Sequence, residues 1–180
     1  SFSHAQNTIH PGHFVGLRNY ADILTDEAFR KSIVTILIYA AFIVPITWAV
    51  SLGLALLVNQ AGKATPLFRT IFFIPSAVSY VVASLIWRVS LFNGLPFGFA
   101  NHILSYFGIH AIAWIGTATP PWYWLVLVTV RLWLQVGFFM IIFIAGLQEI
   151  PRALYEAAAV DGAGSGWQML RHITLPHLRN

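Results

Sequence analysis

Polar and apolar positions divide this chain into long blocks. Ile33 to Val58 runs for 26 residues without a charge, more than the roughly 20 that a bilayer core requires of a helix. Pro45 falls near its middle, so a kink is expected there rather than a stop. A second block, Ile71 to Phe92, has Pro75 in its first turn, where a kink is again expected, and Arg88 about a turn from its end. Arg88 reads as snorkelling toward the headgroups, with a buried pairing role as the alternative. A third block runs from Trp122 to Leu147 and opens on Trp122, Tyr123 and Trp124, an interface belt of aromatic residues. Three spans are therefore predicted, at about 33–58, 71–92 and 122–147, in an all-α, polytopic helical bundle.

The connecting segments are polar and rich in turn residues. Residues 1–32 form a lead-in whose stretch Asn19 to Arg30, with Asp22, Asp26 and Glu27, predicts a short surface helix. His10 and His13 read as solvated loop residues, because no third residue stands at metal-ligand spacing. Asn59 to Thr70 is a short loop with Lys63 and Arg69. Asn93 to Pro121 is a long one with neither Lys nor Arg, and its interrupted apolar middle, Ala100 to Ile115, predicts a partly interfacial helix. The basic residues orient the chain. Lys63 and Arg69 on one side, and Arg152, Arg171 and Arg179 after the last span, put both of those segments in the cytoplasm. The empty second loop and the lead-in then lie outside, although the lead-in carries Arg18, Arg30 and Lys31.

Within the third span, Arg131 and Gln135 stand four residues apart and share a face. A guanidinium at that depth is costly unless it points into the bundle or a wet cavity. The pattern leaves open a functional role and a hydrogen bond to a neighbouring helix.

Residues 148–180 are different in kind. Pro151 suits the first turn of a helix, and Arg152 to Asp161 is rich in helix formers, with Leu154, Ala157 and Ala158 on one side. Gly162 supplies a left-handed stop. Gly164, Ser165 and Gly166 make a corner, and Ser165 with Gln168 is a candidate capping box for a second helix, Trp167 to His172, ended by Pro176. Two short helices meeting at a bend are predicted, a knuckle shaped for another protein's cleft.

Composition narrows the classes. The 180 residues are 58% hydrophobic and only 9% charged, against about 25% charged in a soluble domain. The absence of cysteine removes disulfide frameworks and thiolate metal sites. The ten Lys and Arg are scattered, so the net charge of +4 is topological and no nucleic-acid partner is expected. A phosphate-binding Walker motif fails, since Gly62-Lys63 is followed by Ala64 and Leu57 stands where a glycine is needed. The glycines at 162, 164 and 166 follow no strand. The serine-nucleophile pattern fails at Ala163. Gly94 to Gly98 has helix-dimer spacing but lies in a loop.

Glu156-Ala157-Ala158, three further residues, Gly162, a spacer and Ile173-Thr174-Leu175-Pro176 resemble the EAA loop that marks the permease subunits of binding-protein-dependent ABC importers. Ala145-Gly146-Leu147-Gln148, Ile150-Pro151, Tyr155 and Asp161-Gly162-Ala163 are similar to the sugar-importer branch, the permeases of maltose and glycerol-3-phosphate systems. So are Phe14-Val15-Gly16-Leu17 with Asn19-Tyr20, and Phe68-Arg69-Thr70 with Phe72-Phe73-Ile74-Pro75. The likeness runs from about Phe14 to the end. The chain departs from the family at one place: Ala163 to His172 makes ten residues between glycine and isoleucine, one more than is usual, which bears on the facing of the second helix.

The resemblance implies a permease of the ABC-importer type in a bacterial inner membrane, three spans with a cytoplasmic coupling loop. It implies a second permease subunit, two copies of an ATP-binding subunit that use ATP-Mg, an extracytoplasmic solute-binding protein, and a sugar, polyol or sugar phosphate as solute. Glu156, Ala157, Ala158, Asp161 and Gly162 would form the joint to the ATPase: Glu156 by charge, the alanines by close approach, Gly162 by setting the bend. The region of Arg131, Gln135, Gly137, Phe138 and Phe139 would line the solute pathway, although relatives often carry Asn where Phe139 stands. No cofactor or metal is expected in this chain, and it is not expected to be an enzyme. It lacks an initial methionine and a signal peptide and stops shortly after Pro176, so it reads as a piece of a longer product with further helices. Other classes remain: an intramembrane enzyme using Arg131 or His172, a passive channel or scaffold, or an importer of amino acids, peptides or ions.

Overall fold

The computed structural model describes residues 14–117, 119–163 and 166–178. His10, His13, Gly164, Ser165 and Arg179 lie outside the described residues, and with them the capping box expected at Ser165. Two compact units are distinguished, Ser1–Pro45 and Ile46–Asn180.

In the first unit, Gly16, at φ +60°, turns the chain into α1, Arg18–Thr25. The surface helix expected over 19–30 is split at Asp26, whose extended backbone (ψ 125°) ends α1. Asp26 Oδ1 then accepts the Phe29 N–H at 2.7 Å, capping the N-terminus of α2, Glu27–Asn59. Glu27 sits in the first turn, where the helix dipole favours a negative charge. Its ion pair with Lys31 at 2.7 Å is exposed and adds little. α2 continues through Pro45 without ending.

The second unit is organised along α6, Tyr123–Glu149. At 1.5 Å per residue its 27 residues are about 40 Å long, enough to cross a bilayer core. Two hydrophobic clusters pack on it. Toward its N-terminal end, Val126, Val130 and Leu134 meet Ala83, Trp87 and Trp114. Toward its C-terminal end, Met140, Ile144 and Leu147 meet Ala55 and Val58 of α2.

Between these lies the largest departure from expectation. The second predicted span is not one helix kinked at Pro75. A 3₁₀ turn at Gly62–Ala64 leads into α3, Thr65–Phe73, and a second 3₁₀ turn, Ile74–Ala77, holds Pro75. Val78 and Ser79 are extended (ψ 136° and 137°), and α4, Tyr80–Ile86, starts afresh before a π turn at Trp87–Leu91. The two halves meet at 94°. The cause is local. Proline has no N–H to give the Ile71 carbonyl, Ser76 Oγ donates to the Phe73 carbonyl at 2.6 Å, and Val78 N–H closes a tight turn on Pro75. The helix has unwound by then and breaks. α2 and α6 are each long and apolar enough to cross a membrane, and the bent pair makes a third span only when its halves are counted together.

Gly137 explains how α6 accepts the first half. A methyl group built on it would fall inside the Phe72 carbonyl of α3, so the two backbones touch where a side chain would part them.

The long 93–121 segment holds a shorter helix than expected, α5, Phe99–Ser105, after which Gly108, at φ +72°, turns the chain away. Asn101, 1% exposed, organises it. Its amide nitrogen donates to the carbonyls of Asn93, Leu95 and Ile112 at 3.0–3.2 Å, and its oxygen accepts the Ile112 N–H and the Trp114 indole N–H, both at 3.0 Å. One side chain thus ties together three stretches of irregular backbone that a membrane-facing loop must otherwise satisfy with water.

Candidate functional site

The C-terminal knuckle begins at Pro151, which stands one position before the first helical residue, as the cap of α7, Arg152–Val160, rather than inside its first turn. The end of α7 follows from Gly162. At φ +89° it takes the left-handed conformation, its N–H bonds back to Ala159 and the Ala163 N–H reaches the Ala158 carbonyl at 2.9 Å. This double closure is the Schellman arrangement, which satisfies the orphan carbonyls of the last turn.

From Gly166 the chain is helical again: α8, Gly166–Met169, a π turn over Leu170–Thr174, and α9, Leu175–Leu178. The second helix is therefore longer than the expected 167–172, and Pro176 lies within α9 rather than ending the helix. The wider i to i+5 turn ahead of it restarts the helix at Leu175, and a proline is tolerated in a first turn. His177 Nδ1 lies 2.8 Å from the Ile173 carbonyl, to which it donates in the Nδ1–H tautomer.

The two helical pieces are held on the end of α6. Tyr155 OH lies 3.1 Å from Oγ1 of Thr174, which is 4% exposed, and that hydroxyl donates to the Met169 carbonyl at 3.3 Å. Thr174 therefore accepts from the tyrosine and passes its own proton on. Tyr155, Ile173 and Leu178 pack on the Met140–Ile144–Leu147 cluster, and Gly146 makes room: a Cβ there would come within 2.8 Å of Leu178 Cδ2. Beneath the knuckle is an open crevice of about 950 Å³, lined by Asn59, Thr65, Arg69, Gln148, Arg152 and Tyr155 among others. Arg69 presents Nε and one terminal nitrogen there, buried and without a partner.

The five residues expected at the ATPase joint divide by facing. Glu156, Ala157, Asp161 and Gly162 are exposed, whereas Ala158 is half-buried on the side of Tyr155. Sequence reasoning missed Val160, which is 87% exposed four residues beyond Glu156 and completes a small apolar knob beside that carboxylate. Its i, i+4 spacing from Glu156 was the available signal.

The expected pathway residues also divide. Arg131, Gln135, Phe138 and Phe139 lie on the open side of α6, the two phenylalanines 49% and 37% exposed, while Gly137 faces α3. Gln135 Nε2 donates to Tyr80 OH at 2.8 Å, and the Arg131 guanidinium carbon sits 5.8 Å from the centroid of the Tyr80 ring. Tyr80 is the first residue of α4, delivered there by the break at 78–79, and it was not singled out in the sequence. Arg88 is exposed on its π turn. His172 is exposed in the knuckle, beyond the C-terminal end of α6, and Arg131 lies 18 residues before that end, roughly 27 Å of helix away, so the two do not form one site.

Residues 27–180 match the family model described as the binding-protein-dependent transport system inner membrane component. The chain belongs to this family. Among the relatives of this inner membrane component, the trehalose/maltose transport system permease protein MalF of Thermococcus litoralis is 34% identical over 166 residues, 92% of this chain and 55% of that protein. The sn-glycerol-3-phosphate transport system permease protein UgpA of Yersinia pestis is 35% identical over 151 residues, 84% of this chain and 50% of the relative. The probable ABC transporter permease protein YesP of Bacillus subtilis is 36% identical over 168 residues, 92% and 52% of the respective chains. The chain thus spans about half the length of the curated relatives it matches. A crystal structure of a bacterial ABC transporter involved in the import of the acidic polysaccharide alginate superposes with a TM-score of 0.79 at 26% identity, over 92% of this chain and 57% of that one. The same kind of importer in complex with an alginate pentasaccharide-bound periplasmic protein gives 0.78 at 27% identity, over 91% of this chain and 56% of that one. The relatives are permease subunits, and the family is one of inner-membrane components.

Proposed function

We propose that this chain is part of the membrane-spanning subunit of an ATP-driven importer for a sugar, polyol or sugar phosphate in a bacterial inner membrane. It works with a second permease subunit, two copies of an ATP-binding subunit that hydrolyse ATP-Mg, and an extracytoplasmic solute-binding protein. Trehalose, maltose and glycerol 3-phosphate in the names of relatives, and alginate import by the structural neighbour, support the solute class.

The observation that carries the mechanism is the knuckle at residues 151–178, turned by Gly162 and clamped by Tyr155 on Thr174. ATP closure of the partner moves a surface against this joint. Glu156, Ala157 and Val160 meet it, and the clamp passes the displacement to the end of α6. Tilting α6 together with the halves of the broken 62–91 segment reorients the pathway lined by Arg131, Gln135 and Phe138, which is alternating access by rigid-body movement.

A single cysteine in place of Ala159, in the full-length and otherwise cysteine-free permease, tests the joint. Crosslinking to the co-expressed ATPase should form and should change with ATP. Properly inserted protein that gives no crosslink at Ala159, Leu154 or Ala163 would remove the reading.

A further inference from the structure

From Ala28 to Gln148 the sequence contains no Asp or Glu, yet Arg131 lies eight residues inside α6. Its Nε is buried and has no hydrogen-bond partner, and its guanidinium meets the face of Tyr80 instead of an acid. A half-buried cation with a buried, unmet Nε–H donor is costly to hold, and no carboxylate of this chain's membrane region offsets it. On the same open face Gln135 is held by its hydrogen bond to Tyr80, and Phe138 and Phe139 present aromatic surface within the next turn. A planar guanidinium matches the two oxygens of a carboxylate or phosphate, and here its Nε–H is unmet. Aromatic rings beside it match the apolar face of a sugar ring.

We infer that Arg131 selects a solute bearing a negative charge, a sugar or polyol carrying a carboxylate or a phosphate ester, with Gln135 and Tyr80 positioning the guanidinium and Phe138 seating the ring. The inference rests on the importer reading above and adds the charge of the cargo. The solute supplies the counter-charge that the chain lacks, so binding relieves the unmet donor. A neutral solute leaves it unmet.

The test uses proteoliposomes holding the full-length assembly with its binding protein, and reads ATP-dependent uptake of three probes: a glucuronate-terminated disaccharide, its carboxyl-reduced neutral counterpart, and glycerol 3-phosphate. The assembly should prefer an anionic probe, and the better of the two acids identifies carboxylate or phosphate. Arg131→Gln should raise KM for that probe by roughly 10- to 100-fold, the range for losing a charged hydrogen bond, and should lower uptake of the anionic probe more than uptake of the neutral one. Arg131→Lys, which keeps the charge without the fork, should fall between. Should Arg131→Gln fail to assemble, the Lys variant and the wild-type preference decide the matter alone. A wild-type preference for the neutral sugar would overturn the inference. So would an equal loss for acidic and neutral probes in Arg131→Gln, which would make Arg131 the partner of a carboxylate on another subunit. Absence of ATP-dependent uptake of every probe, together with absence of the Ala159 crosslink, would instead remove the importer reading itself.

Discussion

Substituting Gly137 and substituting Gly162 with alanine should fail in different ways. At Gly137 the new methyl would meet the Phe72 carbonyl, and neither backbone can step aside without parting α3 from α6. Gly137→Ala should cost about 1–3 kcal/mol of packing, read as a lower unfolding temperature of the detergent-solubilised permease. At Gly162 a methyl meets nothing within 4 Å, but the backbone is held at φ +89°. Gly162→Ala should cost about 1–2 kcal/mol, confined to the turn. The unfolding temperature should then hold while transport per ATP hydrolysed falls, because the two halves of the knuckle lose their fixed angle. The two glycines also mark how far single residues could be read from sequence. Gly162 follows a run of helix formers and announces a stop. Gly137 sits inside an apolar block, where nothing local separates a residue that lines a pathway from one that lets two backbones touch.

At the scale of elements, α6 was legible because a long apolar block with a single charge, Arg131, opening on three aromatic residues has one physical reading in a membrane. The break at Val78–Ser79 was not. Hydropathy averages over a window and is indifferent to direction, and Pro75 alone predicts a kink in place. The helix persists as a 3₁₀ turn for two residues beyond the proline and leaves through two extended residues, a course set by the Ser76 side chain and by packing on α6. The π turn over Leu170–Thr174, which lets Pro176 stay inside a helix, was hidden for the same reason. The Asn101 loop was illegible in another way, since one polar residue in an aromatic stretch gives no periodic signal. Its bonds make it the residue on which the outer loop depends. Asn101→Leu keeps the volume but leaves two donors and three carbonyls to find new partners inside the fold. A loss of roughly 2–4 kcal/mol of loop stability is expected, together with protease cleavage between Asn93 and Thr117 in a protein otherwise intact. Resistance equal to wild type would show that the loop is held from elsewhere.

For the molecule as a whole, the 94° bend raises the question of whether residues 62–91 cross the membrane or enter and return. We propose, from the packing along α6, that they cross. Thr65 Oγ1 donates to the Val58 carbonyl at 3.0 Å, and Val58 packs with Leu147 near the C-terminal end of α6, where Gly62 and Arg69 share the crevice with Arg152 and Tyr155. At the other end, Trp87 meets Thr129 through an indole hydrogen bond of 3.1 Å, and Trp114 stacks edge-on against Trp122 at 6.0 Å. The segment starts at one end of a 27-residue helix and finishes near the other, which supports the proposal that, despite the bend, its net course is one crossing. Lys63, Arg69, Arg152 and Arg171 stand at the knuckle end, and the Asn93–Pro121 loop has no Lys or Arg, so we propose, on the positive-inside rule, a cytoplasmic knuckle. Single cysteines at Lys63, Phe107 and Ala159 in the cysteine-free permease separate the two topologies, read by a membrane-impermeant maleimide. Phe107, 76% exposed, should label in intact cells, whereas Lys63 and Ala159 should label only after permeabilisation. Labelling of Lys63 and Phe107 from the same side would make the bent pair a re-entrant hairpin. α6 would then have to start on the side where α2 ends, and the positive-inside assignment of the knuckle would be reversed.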